Sequence, residues 1–364
     1  MRPFPAVITD PVYQPKNHYS SYERFWLKYI NDKRDLPFIW LLTRIHLIVI
    51  LPAILLFLPI WSDWGWWAMA IPYFYFSQFY FKGRFGLMLH CICHRKLFKR
   101  TMQWLHGYIT WLVCPLFGHT PESYFSHHIG MHHMENNMPE DSSSTMGYQR
   151  DSLRSFLMYY INFLLLGFRN TVLYLYYRGR KKMYVRLTWG ELCFYALCIG
   201  LCFVNLKAAL LVFIIPFFFA RLVMMLGNWA QHAFVDPHDP DNVYTNSIMC
   251  INTPYNKTCW NDGYHIIHHL RPGLHYTDMP EAFIRQKDDF AENRALVFEG
   301  IHYLHVFVYL LTKRYDRLAD RLVNINDTFA GTEEAIAVMK ERTKRFPIPS
   351  YSPLPARAAL AVKQ

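Results

Sequence analysis

Four stretches of this sequence are long and apolar enough to dictate the kind of fold it can adopt. A helix that crosses a bilayer needs about 20 predominantly apolar residues, and residues 38–61, 64–81, 188–206 and 208–226 meet or approach that length. A turn of a few residues separates the first two, and Lys207 alone separates the last two. Joins that short fold consecutive helices back on each other, so each pair reads as a membrane hairpin. Hydrophobic residues are 52% of the 364-residue chain and charged residues only 18%, against about 25% charged in an average soluble domain. That apolar content excludes intrinsic disorder, while a mean hydropathy of +0.01 is too low for a chain of spans alone. The expectation is an all-α integral membrane protein: four transmembrane helices as two hairpins, interfacial helices, and a His-rich helical cap on the cytoplasmic side.

Charge placement gives the orientation. Lys28, Lys33 and Arg34 precede the first span, Lys82, Arg84, Arg95 and Lys96 follow the second, and Arg178, Arg180, Lys181 and Lys182 precede the third. The hairpin tips carry Lys207 and little else, so the positive-inside rule puts the N-terminal segment, the middle section and the C-terminal third in the cytoplasm. The net charge of +11 therefore flanks membrane segments rather than forming a nucleic-acid surface. Eight cysteines at irregular spacing make no disulfide framework, and Cys193, Cys198 and Cys202 sit within an apolar run. No secretory signal precedes residue 37. Two further apolar stretches, 104–117 and 156–177, read as interfacial or re-entrant helices, the first being short and the second interrupted by Arg169 and Asn170. A crossing hairpin made of these two is the second reading. Glu191 and Arg221, near span ends, either pair with each other or snorkel to the interface, and Arg44 and His46 receive the same reading.

The chemistry lies in the histidines, 18 in all. Three clusters stand out: His90-Cys-Ile-Cys-His94, His128-Ile-Gly-Met-His132-His133 with His127 just before it, and His265-Ile-Ile-His268-His269. At this His content, chance supplies roughly one HxxxH, but an HxxxHH or HxxHH only about 0.04 times each. On a helix, residues three and four apart share a face, so His90 and His94 can serve one metal ion, and an adjacent pair such as His268 and His269 can serve two. A fourth element, Asn228-Trp-Ala-Gln-His232, follows the last span. Imidazole sets suit Zn, Cu, Fe and Ni. A structural zinc takes four ligands, and roughly twice that number are offered here, so two ions are the natural count. Cys91 and Cys93 lie between the members of an i, i+4 pair and point elsewhere. No HExxH is present, and a bis-His haem would need histidines on facing spans. Two iron ions that activate dioxygen beside a membrane are the reading left.

These boxes resemble the membrane fatty acid desaturase and hydroxylase superfamily, whose members carry HxxxH, HxxHH or HxxxHH, and HxxHH in this order beside two membrane hairpins. The resemblance runs from about Phe38 to His269. It implies that His90, His94, His128, His132, His133, His232, His265, His268 and His269 are the ligands of a diiron centre, with Asn228 reaching one iron through water. The first box lacks the acid that many relatives carry, so an orienting carboxylate must come from elsewhere. Asp262 is a candidate, or a solvated turn residue in Asn261-Asp262-Gly263, and Glu135 stands similarly. The resemblance further implies that two iron ions and dioxygen remove hydrogen from an acyl chain. Desaturation is the expected outcome and hydroxylation the alternative. A His-rich membrane metal transporter is the non-enzymatic alternative, though its ligands should lie within spans. No fused cytochrome b5 motif or dinucleotide fingerprint is present, so a separate donor of cytochrome b5 or ferredoxin type supplies electrons. The substrate expected is a fatty acyl lipid or acyl-CoA. Its head group lies near the basic cluster at Arg178–Arg186, or that cluster serves topology and anionic lipid. The expected organisation is an N-terminal cytoplasmic segment (1–37), a membrane catalytic domain (38–279) and a cytoplasmic helical C-terminal region (280–364). The location is the endoplasmic reticulum membrane in a eukaryote or the inner membrane in a bacterium. The 297–311 stretch is expected to lie on the membrane, and the Asn256-Lys-Thr sequon to be a chance match.

Overall fold

Apolar runs without interior turn signals form helices, and in a computed structural model of the protein, which describes residues 1–347, four of them are long and apolar enough to cross a membrane. These are Lys33–Leu56, Leu153–Tyr177, Lys181–Val204 and Leu206–Gln231. Three coincide with expected spans. The fourth corrects the reading of 156–177 as an interrupted stretch: it is one continuous 25-residue helix through Arg169 and Asn170. Two polar side chains do not break a helix whose backbone bonds are all made within it. The expected span at 64–81 is helical as Asp63–Tyr75 and a π-turn Phe76–Tyr80, but is not among the four. Its Trp and Tyr residues have polar tips that lower its hydropathy and suit an interface.

Three π-helical turns, His46–Ile50, Ile109–Val113 and Leu210–Ile214, each end two positions before a proline: Pro52, Pro115 and Pro216. Proline has no N–H to donate, and its ring collides with the carbonyl four residues back. A widened turn just ahead of the ring re-routes the carbonyls and lets the helix continue.

The chain divides into two compact units. The first comprises Met1–Val12, His127–Tyr184 and the described residues from Leu222 onward; the second comprises Tyr13–Ser126 and Val185–Arg221. In the second unit, inward-facing polar groups are matched with one another. Lys82 Nζ donates to Gln78 Oε1 and Phe117 O, both at 2.8 Å. Arg221 pairs with the buried Glu191 at 3.1 Å, and Thr120 donates to the same carboxylate oxygen at 2.7 Å. Of the two readings offered for Glu191 and Arg221, pairing is the one observed.

The first unit holds two short parallel pairings, Arg2–Pro3 with Val323–Asn324 and Met249–Ile251 with Val297–Glu299. The second pairing overturns the placement of 297–299 on the membrane. Val297 and Phe298 are fully buried because they pair with Met249–Ile251 in the core. Beyond them, the helix Tyr303–Leu311 buries Tyr303, Val306 and Leu310 and exposes Leu304 and Val308. Asn256 is buried with its amide on Cys250 O, which leaves no room for a glycan. No disulfide joins any of the eight cysteines.

Two predictions follow from packing and capping. A Cβ on Gly190 would lie 2.0 Å from Pro121 O, whereas one on Gly200 of the same helix meets nothing within 4 Å. Gly190→Ala should therefore cost about 1–3 kcal/mol through overpacking, and Gly200→Ala should be neutral or stabilising by up to about 1 kcal/mol. Thermal denaturation in detergent measures both, and equal effects would contradict the close approach at Pro121. The second concerns the start of helix Tyr303–Leu311, where His302 Nδ1 accepts the Leu304 N–H and His305 Nδ1 accepts the His302 N–H. Burial, then His305, holds His302 down to about 4 from the usual 6.5. The folded value lies below the unfolded one, so this cap contributes stability above pH 6.5 that is lost as pH falls toward 4. His302→Asn keeps a capping oxygen without titrating, and should flatten the pH dependence of the melting temperature across that window.

Candidate metal centre

The local backbone determines where each imidazole of the second box points, through an irregularity. His128–His132 form a π-helical turn in which the His133 N–H bonds to His128 O. No proline requires this turn. In a regular α-helix, residues three and four apart share a face and the fifth is rotated away; a wider turn brings the fifth residue into line. His128 and His133 accordingly meet, Nε2 to Nε2 at 3.0 Å, and His133 Nε2 lies 2.9 Å from His268 Nε2. His132 turns the other way, with its ring centroid 5.3 Å from those of His232 and His269.

The third box is a six-residue helix, His265–Leu270. His265 and His269, four apart, share a face with their Nε2 atoms 3.1 Å apart, and His268 faces the other set. His232 follows the helix Ile215–Gln231 and brings its Nε2 to 3.3 Å from His265 Nε2. Two groups result within the first unit. His132, His232, His265 and His269 have ligand nitrogens all within 4.8 Å of one another, as do His128, His133 and His268. His90 and His94 lie in the second unit on the helix Lys82–His94, four apart on one face, with ring centroids 5.7 Å apart.

This spacing matches what metal ions require. Metal–nitrogen bonds of about 2.1 Å put neighbouring ligands about 3 Å apart, as these nitrogens are. In two of the rings burial favours the neutral form that binds metal. It pushes His232 down to about 4, with help from His132, and it pushes His269 well below the ordinary range, with help from His265 and His133.

Outer partners hold the rings in place. His132 Nδ1 donates to the fully buried Asp141 carboxylate at 2.7 Å. Ser143 N–H and Oγ–H donate to the other carboxylate oxygen at 2.8 and 2.7 Å. Burial by itself raises that carboxyl, but His132 and His127 bring it well below the usual carboxylate range, so it is an anion. His232 Nδ1 points at the Asn246 carbonyl and side-chain oxygens, at 2.9 and 3.0 Å. Sequence reasoning missed both residues. Asp141 lies nine positions beyond His132 in a Ser-rich connector, with no periodic relation to the box, and its only signal was an acid in the loop that leaves it.

The nominated supporting residues stand elsewhere in the network. Glu135 accepts from Tyr174 and Arg178. Asp262 accepts from Tyr255 at 2.7 Å and Gln231 at 3.4 Å. Asn228 Nδ2 donates to Ser143 O and Tyr159 OH, both at 2.8 Å, and Ser143 thus links it to Asp141.

Asp141→Asn keeps the shape but removes the charge behind His132. Loss of such an outer partner typically costs about 10–100-fold in metal affinity, and iron titration against a competing chelator should show a loss in this range. Wild-type affinity would mean that His132 is held by other contacts.

No curated protein and no solved structure matches this chain. The sequence model of the fatty acid desaturases does, over residues 66–300, which include all three histidine boxes and His232. With that match across well over half of the chain, and clustered histidines forming an oxidoreductase-type metal site, the chain belongs to the fatty acid desaturase family.

Proposed function

We propose that this protein introduces a double bond into a fatty acyl chain, using two iron ions, dioxygen and electrons from a separate donor of cytochrome b5 or ferredoxin type. One observation carries the reading: two adjacent groups of imidazoles with nitrogens at metal-ligand spacing, in a chain of this family. In this reading His132, His232, His265 and His269 hold one ion. His128, His133 and His268 serve the other, and His90 and His94 of the first box are the family's remaining ligands. Asn228, whose amide nitrogen is committed to Ser143 and Tyr159, offers its oxygen to a water on one iron. Asp262 and Glu135 act one layer further out, through Tyr255 and Tyr174.

When bound, the iron pair supplies the dioxygen activation needed to remove hydrogen from an unactivated methylene. The chain's own contribution is to hold ligands neutral, exclude water and position the substrate. A cavity of about 690 Å³ in the second unit supports an apolar substrate, being within the usual range for ligand sites of about 300–1,000 Å³. Leu89, Ile92, Cys93 and Lys96 line it from one face of the first-box helix and its continuation, next to the face that carries His90 and His94. Lys96 and Arg186, both exposed and in no ion pair among the described residues, suit an anionic head group at its rim. The positive-inside pattern supports a site on the cytoplasmic face, of the endoplasmic reticulum membrane in a eukaryote or of the inner membrane in a bacterium.

The test is a mass-spectrometric lipid profile of cells expressing the protein with an electron donor, beside cells expressing His268→Ala. Acyl chains lighter by two hydrogens should appear only with the wild type. Chains heavier by one oxygen would make the enzyme a hydroxylase, and identical profiles from folded, iron-loaded protein would reject acyl oxidation.

A further inference from the structure

Asp10 is remote from the histidine boxes in sequence, yet it is buried beside the third one. Its side chain is only 4% exposed. Oδ2 accepts the Tyr264 hydroxyl and the Asn252 N–H, both at 2.7 Å, and Oδ1 accepts the Thr253 N–H at 3.3 Å. The residues on either side are tied to the same platform. Thr9 N–H donates to Asn252 Oδ1 at 2.7 Å, and Pro11 O accepts from Asn261 Nδ2 at 2.8 Å.

Tyr264 directly precedes His265 and is fully buried. Its carbonyl receives the His268 N–H at 2.9 Å, opening the helix His265–Leu270, whose start has no side-chain cap. Six residues are too few to hold a helix without tertiary support. The direction in which His265, His268 and His269 point therefore depends on what anchors Tyr264, and its hydroxyl is anchored on Asp10.

Three hydrogen bonds converge on this buried carboxyl group, two of them from the backbone N–H groups of Asn252 and Thr253, so Asp10 is itself held in one orientation and can hold Tyr264 in turn.

We propose that Asp10 is a positioning residue of the metal centre: acting through Tyr264, it aims the third histidine box. This rests on the dinuclear metal reading above. The test is Fe²⁺ titration against a chelator for the wild type, Asp10→Asn, Tyr264→Phe and the double variant, together with thermal denaturation of each in metal-free form. Each single variant should bind iron about tenfold more weakly. The double variant should lose little more, because the two groups act as one unit, and the metal-free melting temperature of Asp10→Asn should stay near that of the wild type. Arg2→Ala, which loosens the same segment at its Glu299 ion pair without touching Asp10, should leave iron affinity unchanged. Wild-type iron affinity in Asp10→Asn, additive losses in the double variant, or a metal-free destabilisation with unchanged affinity would each overturn the proposal. A wild-type protein that binds no iron would instead bring down the dinuclear reading itself.

Discussion

The site depends on one requirement: many imidazoles must crowd together, neutral and aimed, where water cannot separate them. Burial supplies neutrality, since the charged form of His232 or His269 would be poorly solvated. Aim is supplied by the backbone and by outer hydrogen bonds. The π-turn at His128–His132 splits one box between two groups, and Asp141 and Asn246 fix the rings of His132 and His232 from behind. Rings free to rotate would scatter the nitrogens whose spacing makes the site.

Much of the first unit serves to hold this arrangement. Arg150 is fully buried, and its guanidinium donates to Ala233 O at 3.0 Å, Arg342 O at 2.8 Å and Lys344 O at 2.7 Å. The residue beside His232 is thereby fastened to the end of the helix Thr332–Arg342. An unpaired buried arginine would be costly; one whose donors are met by carbonyls is a rigid clamp. The C-terminal segment also contributes Leu318, Leu322, Ala335 and Met339 to the core that contains Ala233 and Phe234. Residues far from the boxes in sequence thus support the chemistry without touching it.

The second unit meets a different constraint, that of keeping helices intact and polar groups matched in apolar surroundings. π-turns absorb the prolines, and Glu191 with Arg221 and Lys82 with Gln78 are neutralised or hydrogen-bonded in place. A buried ion pair of this kind is weak support for stability, since desolvation offsets attraction, but breaking it from one side is expensive.

What was legible in the sequence was local. Ligand type, box spacing and apolar run length are read along the chain, and they suffice for a histidine-rich metal site beside long apolar helices, because helical period and residue chemistry do not depend on distant neighbours. Local reading failed where distant contacts govern. Leu153–Tyr177 stays helical through Arg169 and Asn170, and Val297–Glu299 is drawn into the core by pairing with Met249–Ile251. Asp141 and Asp10 reach histidine-bearing elements by routes that no spacing announces. The sequence by itself determined which atoms were available to bind metal. Only the tertiary structure decided how the imidazoles divide into two groups and which carboxylates stand behind them, because that division follows from a widened helical turn and from contacts between segments up to 254 positions apart.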